Sequence, residues 1–142
     1  MDREILFRGK RVDNNQWTEG FLSFIYTDGR NSNGFIYTDK AQIYSPVEVR
    51  SHDVYTSTVG QFTGLCDKNG KKIFEGDILR DGQGDDGVVT YLESVAQFCF
   101  MVGRNRWQLN EGDPNRPKHL QYTEVIGNIH DNPELETKEE SE

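Results

Sequence analysis

The chain has 142 residues, a formal net charge of −8, 34% hydrophobic residues and two cysteines. A chain of this length suits one domain, or one barrel with a β extension, and it can bury a core without covalent staples. Two cysteines exclude a disulfide framework, and the acidic balance argues against nucleic acid as a partner because phosphate binding needs local positive charge.

The acidity is concentrated at one end. Residues 131–142 contain six acidic residues and one lysine, a charge of −5, which leaves −3 on the rest of the chain. We expect this acidic tail to be solvated and disordered. The opening residues MDREILFRGK form no long apolar run, and no stretch approaches the ~20 residues that span a bilayer. We therefore expect a cytoplasmic protein without a membrane partner.

Apolar residues recur with period two along most of the chain, which predicts strands rather than helices. The expected strands are, in chain order, residues 5–7, 17–26, 34–38, 41–44, 47–55, 61–66, 71–74, 78–80, 88–92, 96–102 and 122–130. Loops are expected at 27–33, 81–87 and 112–118, where glycine, proline and polar residues cluster. One helical turn could follow Asp131, with Pro133 near its start.

A tight hairpin is predicted at Asp67-Lys68-Asn69-Gly70, which separates two apolar runs. Asn-Gly favours the left-handed conformations of a two-residue turn, so Gly70 is expected to have a positive φ. Many short strands at close spacing indicate an all-β protein. We expect an N-terminal β region or subdomain over 1–57, an SH3-like small barrel over 58–130 and the tail over 131–142. Both cysteines, Cys66 and Cys99, lie among strand-forming residues, which predicts two buried, reduced thiols.

Two stretches resemble the YopX-like proteins of phages and prophages. The first runs from Val59 through Asp67-Lys68-Asn69-Gly70 to Ile78, and the second from Glu124 to Leu135. The opening residues 5–17 are also similar to the family's start. The resemblance implies an all-β fold with an SH3-like barrel and supplies no catalytic or binding residues. The motif positions to which we assign a structural role are Gly60, Gly64, Asp67, Asn69, Gly70, Glu75, Gly76, Asp77, Gly127, Asn128, Asn132 and Pro133.

No constellation in the sequence indicates catalysis, a cofactor or a metal. Asp81-x-Gln83-x-Asp85 imitates the start of a calcium loop, but the sixth position is Asp86 rather than glycine and the twelfth is Leu92 rather than glutamate. The three histidines are scattered without metal-ligand spacing. We therefore expect a non-enzymatic protein without cofactors.

Two binding functions remain open. Arginines beside a tryptophan can grip phosphate and stack a base, so a nucleic-acid-binding barrel is the alternative. Its candidate contacts are Lys71, Lys72, Arg104, Arg106 and Trp107, with Lys68, Arg116, Lys118 and His119 nearby.

Protein–protein contact is the leading expectation, because six aromatic residues crowd positions 21–44. The strand over 17–26 should carry Phe21 and Ile25 on one face and Leu22, Phe24 and Tyr26 on the other. A sheet that is apolar on both faces has to be covered on both. The cover could be the barrel, a second copy of the chain, or a host or phage protein.

Overall fold

The computed structural model describes residues 4–30, 36–109 and 119–137, and within them the chain is almost entirely strand. The strands are β1 (Phe7–Lys10), β2 (Trp17–Arg30), β3 (Ile36–Ser45), β4 (Arg50–Val54), β5 (Gly60–Cys66), β6 (Lys72–Phe74), β7 (Asp77–Arg80), β8 (Asp86–Leu92), β9 (Gln97–Val102), β10 (Asn105–Gln108) and β11 (Glu124–Asn128), followed by the short helix α1 (Pro133–Thr137). The all-β class is confirmed. Among the described residues, no helix is both long and apolar enough to cross a membrane.

The chain divides into two compact units, residues 1–61 and 62–142. In the first unit the strands are antiparallel in the order β4-β3-β2-β1, and the first residues of β5 pair with β1 at Phe7↔Gln61. Its core consists of buried aliphatic residues with partly buried apolar neighbours: Ala41, Ile43, Val54, Phe7, Leu22 and Val59.

Strand β3 corrects one prediction. Residues 34–38 and 41–44 were expected to be two short strands, but Ile36–Ser45 is a single strand. Residues 31–35 lie outside the described residues. The intervening Asp39-Lys40 contains no glycine or asparagine that would favour a tight turn. Ile25 pairs with Lys40 and Tyr26 pairs with Thr38, so the register between β2 and β3 shifts by one residue at Asp39 without interrupting β3. Strand β2 likewise continues to Arg30, into the loop expected at 27–33.

In the second unit an antiparallel sheet has the order β10-β9-β8-β7-β11, while the later residues of β5 pair with β6 at Phe62↔Phe74. Its core is a cluster of buried apolar side chains: Ile73, Leu79, Val89, Phe100, Leu109 and Leu120. Among the described pairings this sheet is open, so the SH3-like barrel expected for 58–130 is not confirmed. Strand β10 was not predicted, because its sequence NRWQ has no apolar alternation.

The predicted hairpin between β5 and β6 is present. Gly70 has a φ of 79°, as expected, and its N–H donates to Asp67 O at 3.0 Å. The prediction for Cys66 is wrong, since this thiol is exposed while Cys99 is buried. The register of β5 shifts between Phe62 and Cys66, around Gly64 with its φ of 88°, so the inward alternation does not continue to Cys66.

A short turn follows β1 and is held by an ion pair. Arg11 Nε donates to Asp13 Oδ1 at 3.0 Å, and Arg11 Nη2 donates to Asp13 Oδ2 at 2.7 Å. This hydrogen bonding to the guanidinium lowers the pKa of Asp13 below its ordinary value of 3.8. The carboxylate is 65% exposed, so solvent screens much of the interaction.

Replacing Gly70 by valine should destabilise the protein by about 1–2 kcal/mol, because a β-branched residue is strained at positive φ. A Cβ at this position would meet no other atom within 4 Å, so backbone strain is the expected cause rather than a clash. Urea unfolding measures the change, and Lys71→Val, one residue further along, is the matched control. Equal stability of Gly70→Val and the wild type would show that the turn tolerates this strain.

The Arg11–Asp13 pair should contribute to stability at neutral pH and lose its contribution in acid. Because the folded pKa of Asp13 is lowered, the contribution is complete above the ordinary value of 3.8 and disappears as the pH falls through the folded pKa. Asp13→Asn should therefore be less stable than the wild type near pH 7, and the two should converge as the pH falls through the folded pKa of Asp13. Unfolding curves across this range test it, and a difference that grows as the pH falls would contradict it.

Candidate interaction surface

One face of the sheet in the first unit is directed outward. Side chains alternate along a strand, and residues directly opposite on an antiparallel neighbour share a face. The pairing registers therefore place one set of side chains together, which we call the outer face: Arg8, Lys10, Trp17, Glu19, Phe21, Ser23, Ile25, Lys40, Gln42 and Tyr44.

The outer face contains large apolar side chains that the chain leaves exposed. Phe21 lies directly opposite Tyr44, and these residues are 56% and 38% exposed. Ile25, further along β2 and opposite Lys40, is 39% exposed. The aromatic pair and the isoleucine thus form an apolar stretch with polar neighbours on the same sheet surface.

The inner face has the opposite character. Leu22 lies opposite Ile43, and Phe24 lies opposite Ala41, so the register confirms the predicted division of β2 for these residues and for Phe21 and Ile25. The position predicted for Tyr26 lies outside the described side chains. Ile43 and Ala41 are almost fully buried, whereas Phe24, near the end of the paired segment, is 40% exposed. The unit's own core covers most of the inner face, but not the aromatic pair on the outer face.

Two cations lie over the indole of Trp17 at one end of the outer face. The guanidinium carbon of Arg8 is 4.6 Å from the centre of the Trp17 ring, and Lys10 Nζ is 5.6 Å from it. Sequence reasoning missed this group, although the alternation Phe7-Arg8-Gly9-Lys10 places both cations on one face of β1. Tryptophan, tyrosine and arginine are the residues most enriched at the energetic centres of protein interfaces.

The hairpin between β5 and β6, which we call the signature hairpin, carries three lysines, and two of them contact side chains of the second unit. Lys68 Nζ lies 3.3 Å from Glu124 Oε2, and Lys72 Nζ lies 6.0 Å from the centre of the Phe62 ring. Lys71 is exposed. Two of the three lysines are thus engaged with neighbouring side chains.

The basic-aromatic group lies on the β9–β10 hairpin, with Arg104 at the turn. Trp107 pairs with the buried Phe100, and Arg106 pairs with Met101. Since adjacent residues of a strand point to opposite faces, Arg106 and Trp107 are directed to opposite sides of the sheet. This arrangement does not let one nucleotide contact both side chains at once. Arg116 and Lys118 lie outside the described residues, and the partly buried His119 accepts a hydrogen bond from Gln121 N at 3.1 Å through Nδ1.

Two buried carboxylates near the imitation calcium loop accept hydrogen bonds from the backbone. Buried Asp77 accepts a hydrogen bond from Phe74 N at 2.7 Å. Buried Asp81 accepts from Gln83 N at 2.8 Å and from Asp85 N at 3.0 Å through the same oxygen. In the part of the chain that the structure describes, no three side chains form a metal-binding group.

The second motif forms a compact turn after β11. Asn128 Oδ1 accepts from the N–H groups of His130 and Asp131 at 3.0 and 2.9 Å. Asn132 Oδ1 accepts from Asn128 N at 3.2 Å. A Cβ on Gly127 would lie 2.4 Å from Asn132 Oδ1, so any side chain at this position would displace the Asn132 side chain. These contacts give the motif a structural function.

The geometry defines an all-β protein of two units, with an exposed aromatic face on the first. The YopX protein family model matches residues 6–136, and the chain belongs to this family. The chain is also similar to protein EF1440 from Enterococcus faecalis, whose crystal structure matches at 25% sequence identity with a TM-score of 0.47, over 93% of this chain and 97% of that chain. A search of the curated proteins finds no match.

Gly127→Ala should destabilise the protein by about 1–3 kcal/mol, because the added methyl group displaces the Asn132 side chain from Asn128 N. Asn132→Ala removes the same acceptor without a clash and is the matched variant. If the clash acts through this hydrogen bond, Gly127→Ala in the Asn132→Ala background should cost much less than it does alone. Thermal unfolding of the four proteins tests this coupling, and strictly additive losses would contradict it.

Proposed function

We propose that this YopX protein is a non-catalytic binding or adaptor protein that acts through protein–protein contacts made by its outer face. The observation that carries the proposal is the exposed cross-strand pair of Phe21 and Tyr44 beside Ile25. Water contact with such side chains is unfavourable by about 25 cal/mol for each Å² of apolar surface. Exposed apolar patches with polar rims are typical of interaction sites.

The composition of the outer face supports contact with a protein. It combines aromatic anchors with the Arg8 and Lys10 group over Trp17. The partner is either a second copy of the chain or a host or phage protein. We expect the protein to act in the cytoplasm of the host cell as the product of a phage or prophage.

The second unit is proposed to be an SH3-like barrel. Its order β10-β9-β8-β7-β11 is a four-strand meander with a last strand that returns beside the first, which supports this fold. Nucleic-acid binding by Lys71, Lys72, Arg104, Arg106 and Trp107 is the alternative function. The opposite directions of Arg106 and Trp107 and the engaged Lys72 favour the protein-binding proposal over it.

Phe21→Asp should abolish binding through the outer face, because it places an unpaired charge at the centre of a desolvated interface. For self-association, light scattering of the wild type at micromolar concentration should give a mass above the 16.3 kDa of one chain, and the variant should give the monomer mass. For a different partner, the wild type should retain a specific protein from cells that Phe21→Asp does not retain.

Val95→Asp is the matched control, since Val95 is a 41% exposed apolar residue in the turn between β8 and β9. It should behave as the wild type in both measurements. Equal assembly and equal partner recovery by Phe21→Asp and the wild type would refute a function of the outer face. Retention on DNA that falls with salt and is lost in the Arg104→Gln/Arg106→Gln variant would favour the alternative.

A further inference from the structure

A cleft of about 390 Å³ lies along one edge of β4 in the first unit. Two short stretches of the chain line it, residues 11–13 and 50–53. Neither residue of the aromatic pair lines the cleft, although Ser51 lies directly opposite Tyr44 on β3.

Part of this edge is already occupied by the chain itself. Val12 N donates to Asp53 O at 3.0 Å, and Tyr55 N donates to Lys10 O at 2.9 Å, around the antiparallel bridge between Arg11 and Val54. Residues 10–12 therefore act as a short strand added to β4. The chain then turns away, as Asn15 N donates to Arg11 O at 2.9 Å, and the cleft opens where the added strand ends.

The backbone of Ser51 is directed into this cleft. In an antiparallel strand the N–H and C=O of one residue point to the same edge, and residues two apart share that edge. Asp53 O is bonded to Val12, away from β3, and β3 pairs with β4 without a shift of register. Ser51 thus presents one donor and one acceptor in line with the hydrogen bonds that residues 10–12 make.

The charges of the cleft leave one group available. Asp13 accepts both hydrogen bonds from Arg11, and Asp53 Oδ1 accepts one from Gln42 Nε2 at 2.8 Å. His52, which also lines the cleft, contacts the Glu48 carboxylate through Nε2. This hydrogen bond and, less strongly, the charge of Arg50 lower the pKa of Glu48. Arg50 is exposed, and within the described residues no carboxylate lies in ion-pair distance of it. An incoming segment with an acidic side chain opposite Arg50 would complement this arrangement.

We propose that the cleft binds an extended peptide segment of a partner protein by strand addition to the free part of the β4 edge. The central peptide residue exchanges two backbone hydrogen bonds with Ser51, and a neighbouring aspartate or glutamate pairs with Arg50. Main-chain hydrogen bonds provide affinity in this binding mode, and side-chain pockets provide specificity. The site goes beyond the proposed function of the outer face and does not depend on it.

The test begins with the full chain immobilised and a random heptapeptide library displayed on phage. Enriched peptides should contain an acidic residue next to strand-forming residues. Binding of one synthetic selected peptide is then measured by calorimetry. Ser51→Pro removes the edge N–H and is compatible with an edge position, and Arg50→Gln removes the charge. Each should weaken binding about tenfold, which is the expected loss for one hydrogen bond or one ion pair.

Two controls make the result specific. Lys40→Gln removes an exposed cation from β3, and Phe21→Asp alters the outer face, and both should bind the peptide as the wild type does. The peptide should also slow hydrogen exchange of the Ser51 amide in the wild-type protein, a measurement that holds even if Ser51→Pro fails to fold. The proposal is overturned if no peptide is enriched, or if selected peptides bind Arg50→Gln with wild-type affinity and leave the Ser51 amide unprotected.

Discussion

The second unit depends on one buried carboxylate, that of Asp67. Its Oδ1 accepts hydrogen bonds from Asn69 N and Lys71 N at 2.8 and 2.9 Å, and its Oδ2 accepts from Val125 N at 2.9 Å, 58 residues further along the chain. Lys68 N adds a bond to Thr123 O at 2.9 Å. Hydrogen bonds to an ionised acceptor are roughly twice as strong as neutral ones. One side chain therefore shapes the signature hairpin and attaches it to the last strand.

Three turns of the second unit use a carboxylate in the same way. Asp67, Asp77 and Asp81 are all buried, and each accepts a hydrogen bond from a backbone N–H group. Each carboxylate therefore provides a hydrogen-bond acceptor within its own turn. The motif that identifies the family is thus a motif of folding. The surfaces that we propose for binding lie elsewhere, on the outer face and along the β4 edge, where the chain exposes apolar side chains and backbone groups.

Much of this fold was predictable from the sequence, because period-two alternation and Asn69-Gly70 are local signals. Strand β10 was not, since NRWQ lacks alternation and pairs only because the turn at Gly103 brings it beside β9. The two faces of β2 were predictable, but which one stays exposed was not, since that depends on the long-range pairing of Phe21 with Tyr44. The predicted burial of Cys66 was wrong for a similar reason, because a shift of register that no local pattern shows precedes this residue.

Strand β5 connects the two units in sequence and serves both. Its first residues, Gly60 and Gln61, pair with β1, and its later residues pair with β6. Just before it, Thr58 Oγ1 accepts a hydrogen bond from Lys10 N at 2.9 Å, so the first unit uses residues well beyond its last complete strand. In evolutionary terms, recombination that exchanged one half of such a gene would preserve both folds only if the incoming half kept a compatible strand here. The two halves should therefore be inherited together, as a single module.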